Sequence, residues 1–172
     1  MSETRPVVRY STEEIARRIV ELGDAIRQDA GTSPILLIGI LKGTTCFLPD
    51  LMRAIPGAVR FEFIDVIRDE ADTTVAAAME IDFLTHFDMR GKRVYLLKDV
   101  VSTGVIENYL IAQLRLREPV DLKLVALIDR PAQRTVEVGV HFRGFEGSEG
   151  TLVGYGLEHR GAWGNLPWLG EL

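Results

Sequence analysis

The sequence predicts a single α/β domain, residues 1–172, built on a mostly parallel sheet flanked by helices. Three observations carry this. Apolar runs at 34–40, 93–97 and 122–128 are short and nearly continuous, as expected of strands buried on both faces. They alternate with amphipathic stretches of helical period, the pattern of a wound parallel sheet. The length of 172 residues suits one domain that buries about two-thirds of its surface on folding.

Element by element, Ser11-Thr12-Glu13-Glu14 is a capping box, because Ser11 can cap while Glu14 reaches back. Ile15, Ile19, Leu22 and Ile26 follow at helical spacing, so the first helix spans 12–29 and Gly31 ends it. Pro34 to Ile40 is a central strand, broken by Leu41-Lys42-Gly43-Thr44-Thr45. Cys46 to Arg53 reads as a helix with Phe47, Leu48, Leu51 and Met52 inward. Val59 to Ile67 alternates enough to be a strand, and Arg68 to Glu80 reads as a long exposed loop. Met89-Arg90-Gly91-Lys92 turns into the strand Arg93 to Leu97. A helix follows from about Val105 to Arg117, then strands Leu122 to Ile128 and Val136 to Phe142. From Gly139 onward lie more than half of the 16 glycines and both tryptophans. That stretch is too aromatic for a floppy tail and reads as ordered loops folded over the sheet. The core covers about 12–135 and the terminal segment about 136–172, with no repeat or linker between them.

Composition narrows the function. Twenty Lys and Arg against 25 Asp and Glu leave a net charge of −5, which argues against sequence-independent nucleic-acid binding. The single cysteine, Cys46, excludes an intramolecular disulfide framework and a multi-cysteine zinc site, and on an apolar helix it reads as a small buried hydrophobe. His86, His141 and His159 match no metal spacing. Met1 to Tyr10 has no apolar core of a signal peptide, and no apolar run approaches the roughly 18 residues of a membrane span. The expectation is a cytoplasmic protein.

Ligands of an open parallel sheet bind at the carboxyl ends of its strands. Two loops there look specialised. Lys42 and Gly43 combine a cation with a residue that permits close backbone approach. Ser102, Thr103 and Gly104 place hydroxyls and free N–H groups at a helix N-terminus, which suits a phosphate and equally suits a plain helix cap.

Together the loops say more. Val94 to Gly104 (Val-Tyr-Leu-Leu-Lys-Asp-Val-Val-Ser-Thr-Gly) resembles the signature of type I phosphoribosyltransferases. Leu36 to Gly43 resembles the pyrophosphate loop of the hypoxanthine-guanine branch, and Leu127 to Pro131 its purine-contact strand end. His141 to Phe145, Val153 to Glu158 and Asn165 to Trp168 resemble its purine hood. The blocks occur in order over roughly 34–172.

The resemblance implies the type I phosphoribosyltransferase fold with a C-terminal hood, and a reaction in which a purine nitrogen displaces pyrophosphate from 5-phosphoribosyl 1-pyrophosphate (PRPP). By its terms Ser102, Thr103 and Gly104 cradle the 5-phosphate, Asp99 binds a ribose hydroxyl, and Lys42 and Gly43 contact pyrophosphate; Lys98 falls among the PRPP-binding residues, and Asp99 and Ser102 stand at the catalytic positions. Arg130 donates to the purine O6 where the branch usually has lysine. Phe142 stacks on the base, the Arg143 backbone bonds its edge, and Glu158 stands at a magnesium-binding Asp. A homodimer or homotetramer is the family expectation.

Five positions depart from the pattern. Lys98 replaces the first acid of the ribose pair, and Ser102 replaces the general base. Ile106 replaces a hydroxyl residue, the long loop lacks a Ser-Tyr pair, and Gly164 replaces a pyrophosphate-binding arginine. Three readings stand open: an active purine phosphoribosyltransferase, a regulatory module that binds a purine or nucleotide without turning it over, and an enzyme redirected to another substrate.

Overall fold

The computed structural model describes residues 5–68, 79–82, 88–147 and 149–172. The chain begins with strand β1 (Val7–Tyr10) and helix α1 (Thr12–Ala30). Strand β2 (Ile35–Ile40), helix α2 (Phe47–Ala54) and strands β3 (Val59–Arg68) and β4 (Met79–Asp82) follow. Then come β5 (Arg93–Val101), α3 (Val105–Arg115), β6 (Asp121–Asp129), β7 (Val140–Glu146), β8 (Leu152–Val153) and β9 (Leu169–Glu171). The main sheet has the order β4-β3-β2-β5-β6-β7. Its five strands from β3 to β7 run parallel, and β4 closes the edge antiparallel to β3.

The first helix forms as its residues dictate. Glu14 N–H donates to Ser11 Oγ and Ser11 N–H to the Glu14 carboxylate, so two of the helix's orphan donors are satisfied reciprocally. Ile15, Ile19, Leu22 and Ile26 all face inward. Gly23 allows α2 to approach, since a Cβ there would stand 2.7 Å from the Ala54 carbonyl oxygen. One face of the sheet is covered by α1 and α2, the other by α3. Burying each large aliphatic side chain contributes about 1.5–3 kcal/mol, and β2 is buried at all six positions because both of its faces are covered.

The amino end of the sheet is closed by charge pairing. The Tyr95 hydroxyl donates to Asp29 Oδ2 at 2.7 Å, and Lys123 pairs with the other oxygen of Asp29. Burial pushes the Tyr95 phenol well above its ordinary value. These strand-start groups satisfy one another, which leaves the carboxyl end as the open one.

Three expectations change. The strand foreseen at 136–142 lies at Val140–Glu146, because Thr135 N–H and Val136 N–H donate to the Thr103 carbonyl instead of to a neighbouring strand. The stretch 68–80 is not all loop: Arg68 ends β3 and Met79 and Glu80 begin β4, paired as an antiparallel ribbon, while 69–78 lie outside the described residues. The hood is not only loops either. β8 and β9 join β1 in a three-stranded antiparallel sheet of order β1-β9-β8. Tyr10 then stacks on Phe145 at 4.1 Å and donates to the Glu146 carbonyl, fastening that small sheet to the edge of the main one.

Candidate active site

Four segments meet at the carboxyl end of the sheet. The first follows β2. Leu41 N–H donates to the Ile64 carbonyl and Thr45 N–H to the Lys42 carbonyl, while the buried Thr44 hydroxyl donates back to Ile40 at 2.8 Å. The Leu41–Lys42 peptide is cis. These bonds present Gly43 to the second segment, the end of β5. A Cβ on Gly43 would lie 1.8 Å from Asp99 Oδ2, so only glycine lets the backbone pass the Asp99 carboxylate at this distance.

β5 continues past its apolar run through Val101, which makes Lys98 and Asp99 strand residues with fixed direction. Lys98 Nζ lies 2.5 Å from Asp99 Oδ1, and the two side chains are only 18% and 14% exposed. This is a largely buried pair rather than a surface one, and its strength depends on the geometry that holds it.

The third segment is the turn Ser102-Thr103-Gly104 into α3. Arg134 Nη1 donates to the Ser102 carbonyl at 2.7 Å, and Thr135 N–H and Val136 N–H both reach the Thr103 carbonyl at 3.0 Å. A trans peptide points its N–H opposite to its carbonyl. Pinning these two carbonyls therefore turns the N–H groups of Thr103 and Gly104 the other way. Gly104 caps the helix in the left-handed region at φ 83°, and Val136 O and Val138 fill the space a Cβ would need. Free N–H groups and the positive end of an eleven-residue helix coincide there, an arrangement that favours an anion.

The fourth segment is the hood. A Cβ on Gly156, which has φ 92°, would lie 3.2 Å from the Gly43 carbonyl and 3.3 Å from Thr45 Oγ1. The Tyr155 hydroxyl donates to Asp50 Oδ2 at 2.5 Å, tying the hood to α2; burial pushes this phenol well up. Glu158, two residues on, is exposed. Its side chain lies over Gly164, where a Cβ would meet Glu158 Cγ at 2.7 Å.

At the end of β6, Arg130 N–H donates to the Val101 carbonyl and Arg130 Nη2 to the Gly150 carbonyl at 2.6 Å, while its Nε is buried without a partner. Two neighbours have no role in the sequence reading. Asp129, 6% exposed, pairs with Arg134, the same arginine that holds the Ser102 carbonyl. Arg134 thus braces the 102–104 turn against β6. The only advance signal is an acid beside the Arg130-Pro131 strand end, which by itself reads as a turn.

The structure therefore brings together Lys42, Gly43, Lys98, Asp99, Ser102, Thr103 and Gly104, with Arg130 and Glu158 on the flanking segments. It corrects two expectations. Phe142 sits in mid-strand opposite Val125, its ring 5.9 Å from that of Tyr95 in the layer packed beneath α1. It is half-buried and packs against the core in mid-strand instead of standing at the strand end. The Arg143 carbonyl accepts from Arg18 Nη2 at 2.7 Å, and its side chain pairs with Glu146. Its backbone is thus engaged by α1. Both residues stand well before the carboxyl end of β7, which is reached only at Glu146, opposite Asp129.

The other candidates resolve plainly. His141 Nδ1 accepts from Leu124 N–H, and burial pushes its pKa down, so it acts as a neutral edge acceptor. Cys46 precedes α2 half-buried, its thiol pushed up first by burial and then by Asp50. His86 and Asp69 lie outside the described residues.

A magnesium ion commonly binds through one or two carboxylates plus substrate phosphates and keeps several waters. Among the described residues no group of three or more His, Cys, Asp or Glu is placed to hold a metal. The exposed Glu158 carboxylate fits the single-ligand mode. Asp99 is already neutralised by Lys98 on its Oδ1, which leaves it a weaker metal ligand than a free carboxylate.

Comparison with known proteins agrees with this geometry. The family model for the phosphoribosyl transferase domain matches residues 10–160. The hypoxanthine-guanine phosphoribosyltransferase of Bacillus subtilis (strain 168) is 31% identical over 96% of this chain and 92% of its own length. That of Dictyostelium discoideum is 34% identical over 95% of this chain and 93% of its own. A crystal structure of a hypoxanthine phosphoribosyltransferase from Staphylococcus aureus superposes with a TM-score of 0.90 at 28% identity. The match covers 96% of this chain and 90% of that one.

Proposed function

The chain belongs to the phosphoribosyltransferase family, and we propose that it is a purine phosphoribosyltransferase forming a nucleotide from PRPP and a hypoxanthine- or guanine-type base. In the reaction the ribose C1–O bond to pyrophosphate breaks and a C1–N bond to the purine forms. The purine N–H proton passes to a base, and pyrophosphate leaves with the bonding pair. The observation that carries this reading is the meeting of Gly43, Asp99 and the Ser102-Thr103-Gly104 turn at one sheet end. An anion cradle for a 5-phosphate and a backbone turn for pyrophosphate there flank one carboxylate.

Each group has a place in that scheme. The N–H groups after Ser102 hold the 5-phosphate, and Asp99 accepts from a ribose hydroxyl. Lys42 and Gly43 meet pyrophosphate, and the Arg130 guanidinium, fixed by Gly150, reads the exocyclic oxygen of the base. With Phe142 packed against Tyr95 and the Arg143 carbonyl held by Arg18, the base is bounded in this reading by the hood backbone around Gly150. When bound, magnesium supplies charge neutralisation for pyrophosphate, and Glu158 is the residue that would hold it. A homodimer or homotetramer and a cytoplasmic location belong to the same proposal; among the described residues no helix is long and apolar enough to cross a membrane.

Lys98 and Ser102 shape the rate. A serine is a poor proton acceptor where a carboxylate would serve, and loss of a general base typically costs about two to four orders of magnitude. A cation beside an oxocarbenium-like sugar adds to the barrier. The same pair of residues favours a second reading, a protein that binds purine nucleotide and turns substrate over negligibly. Pyrophosphate release from PRPP with magnesium and hypoxanthine or guanine decides between them. Slow turnover that depends on both substrates supports the enzyme. Nucleotide binding with no pyrophosphate release supports the regulatory reading.

A further inference from the structure

Lys98, expected among the PRPP-binding residues, has a defined setting in the structure. Along β5 it shares a side with Val94 and Leu96, the side packed against Leu110 and Leu114 of α3. Its ammonium sits on Asp99 Oδ1. The other oxygen of that carboxylate faces Gly43, so a charge seated on Asp99 is also a neighbour of the Lys42-Gly43 turn. Glu107, 3% exposed, shares the buried face of α3 with Leu110 and Leu114, the helix packed over this side of β5. Its carboxyl is coupled electrostatically to Lys98, Asp99 and Arg134, and burial pushes it above the usual carboxylate range. Two acids therefore offset the cost of holding the ammonium away from water. An ammonium has three donors, and the bond to Asp99 uses one.

We propose that Lys98 is a built-in cation of the pyrophosphate site: carried on Asp99 beside the Lys42-Gly43 turn, its ammonium neutralises the diphosphate of the incoming sugar pyrophosphate from a carboxylate that it has itself already paired. The proposal rests on the phosphoribosyltransferase reading. Its consequence is that this chain binds PRPP with little dependence on magnesium. Glu107 is the counter-charge that makes the buried ammonium tolerable, and it touches no substrate.

Calorimetric titration with PRPP, in excess EDTA and in magnesium, tests this. For the wild type the two dissociation constants should agree within about tenfold. Lys98→Met should weaken binding in EDTA by at least about tenfold and binding in magnesium by less. Lys98→Met leaves Glu107 buried without its cation, so Lys98→Met/Glu107→Leu is titrated in parallel, with thermal melting to show that it is folded. Wild-type binding in magnesium but none in EDTA overturns the built-in cation. So does undiminished binding in EDTA by either folded variant. A folded wild type that binds PRPP in neither solution overturns the phosphoribosyltransferase reading itself.

Discussion

The two ends of the segment 98–104 have met substitution differently. At its carboxyl end, the turn 102–104 makes its anion site from backbone: pinned carbonyls, outward N–H groups and a helix terminus. Exchanging an acid for Ser102 leaves all of these in place. At its amino end, the site consists of side chains, and where the resemblance implies a pair of acids this chain has the ion pair of Lys98 and Asp99. The lesson is that function built from backbone survives changes of residue type, whereas function built from side chains is remade by one of them. Under the proposed function, such a molecule keeps the grip on its substrate and alters the reacting centre.

The strongest way to break this contrast is to attack the brace beneath the backbone site. Arg134→Met removes the donor to the Ser102 carbonyl and leaves Asp129 buried without its nearer cation. Breaking such a pair costs about 3–5 kcal/mol of stability. Urea unfolding should show that loss, and PRPP affinity should fall with it; a variant as stable as wild type would show that the turn holds itself.

Gly43→Ala comes next, because its methyl group would lie 1.8 Å from the Asp99 carboxylate. Asp99 must leave, and misplacing a substrate-positioning group by about 1 Å costs on the order of 100-fold in rate. Steady-state kcat/KM for pyrophosphate release is the measurement, with the melting temperature expected to change little.

Restoring the side-chain half sharpens the comparison in the other direction. Lys98→Glu/Ser102→Asp returns a ribose ligand and a base, and should speed pyrophosphate release by at least about tenfold in magnesium. An unchanged rate in a double variant that binds both substrates would move the deficit to Gly164 or the 69–78 stretch. The smallest effect belongs to Phe142→Leu. A near volume-conserving exchange in the core should cost less than about 1.5 kcal/mol, and affinity for guanine nucleotide should be unchanged. A large loss of nucleotide affinity at unchanged stability would return Phe142 to the cleft.

The last of these tests marks where reading the sequence ends. Element type was legible wherever a period repeats. The capping box and the Ile15-Ile19-Leu22-Ile26 spacing specify α1, and the continuous apolar runs specify β2, β5 and β6 as central parallel strands. The loops after β2 and β5 were legible as an anion site because glycine, hydroxyl and cation residues stand in a short span. Strands of two to four residues such as β1, β8 and β9 carry no period, so nothing local distinguishes them from loop.

Tertiary structure decided what lies between distant segments. The start of β7 depends on Thr103 capturing Thr135 and Val136, a competition for hydrogen bonds that no window of sequence contains, and it moved Phe142 from the cleft into the core. The closeness of Gly43 to Asp99, the brace from Asp129 through Arg134 to Ser102, and the burial of Glu107 on α3 are likewise properties of packed segments. Residue pattern determines which elements form, because that is settled by local periodicity and capping. Which charges meet at the active site is settled only when the sheet brings its strand ends together and removes them from water.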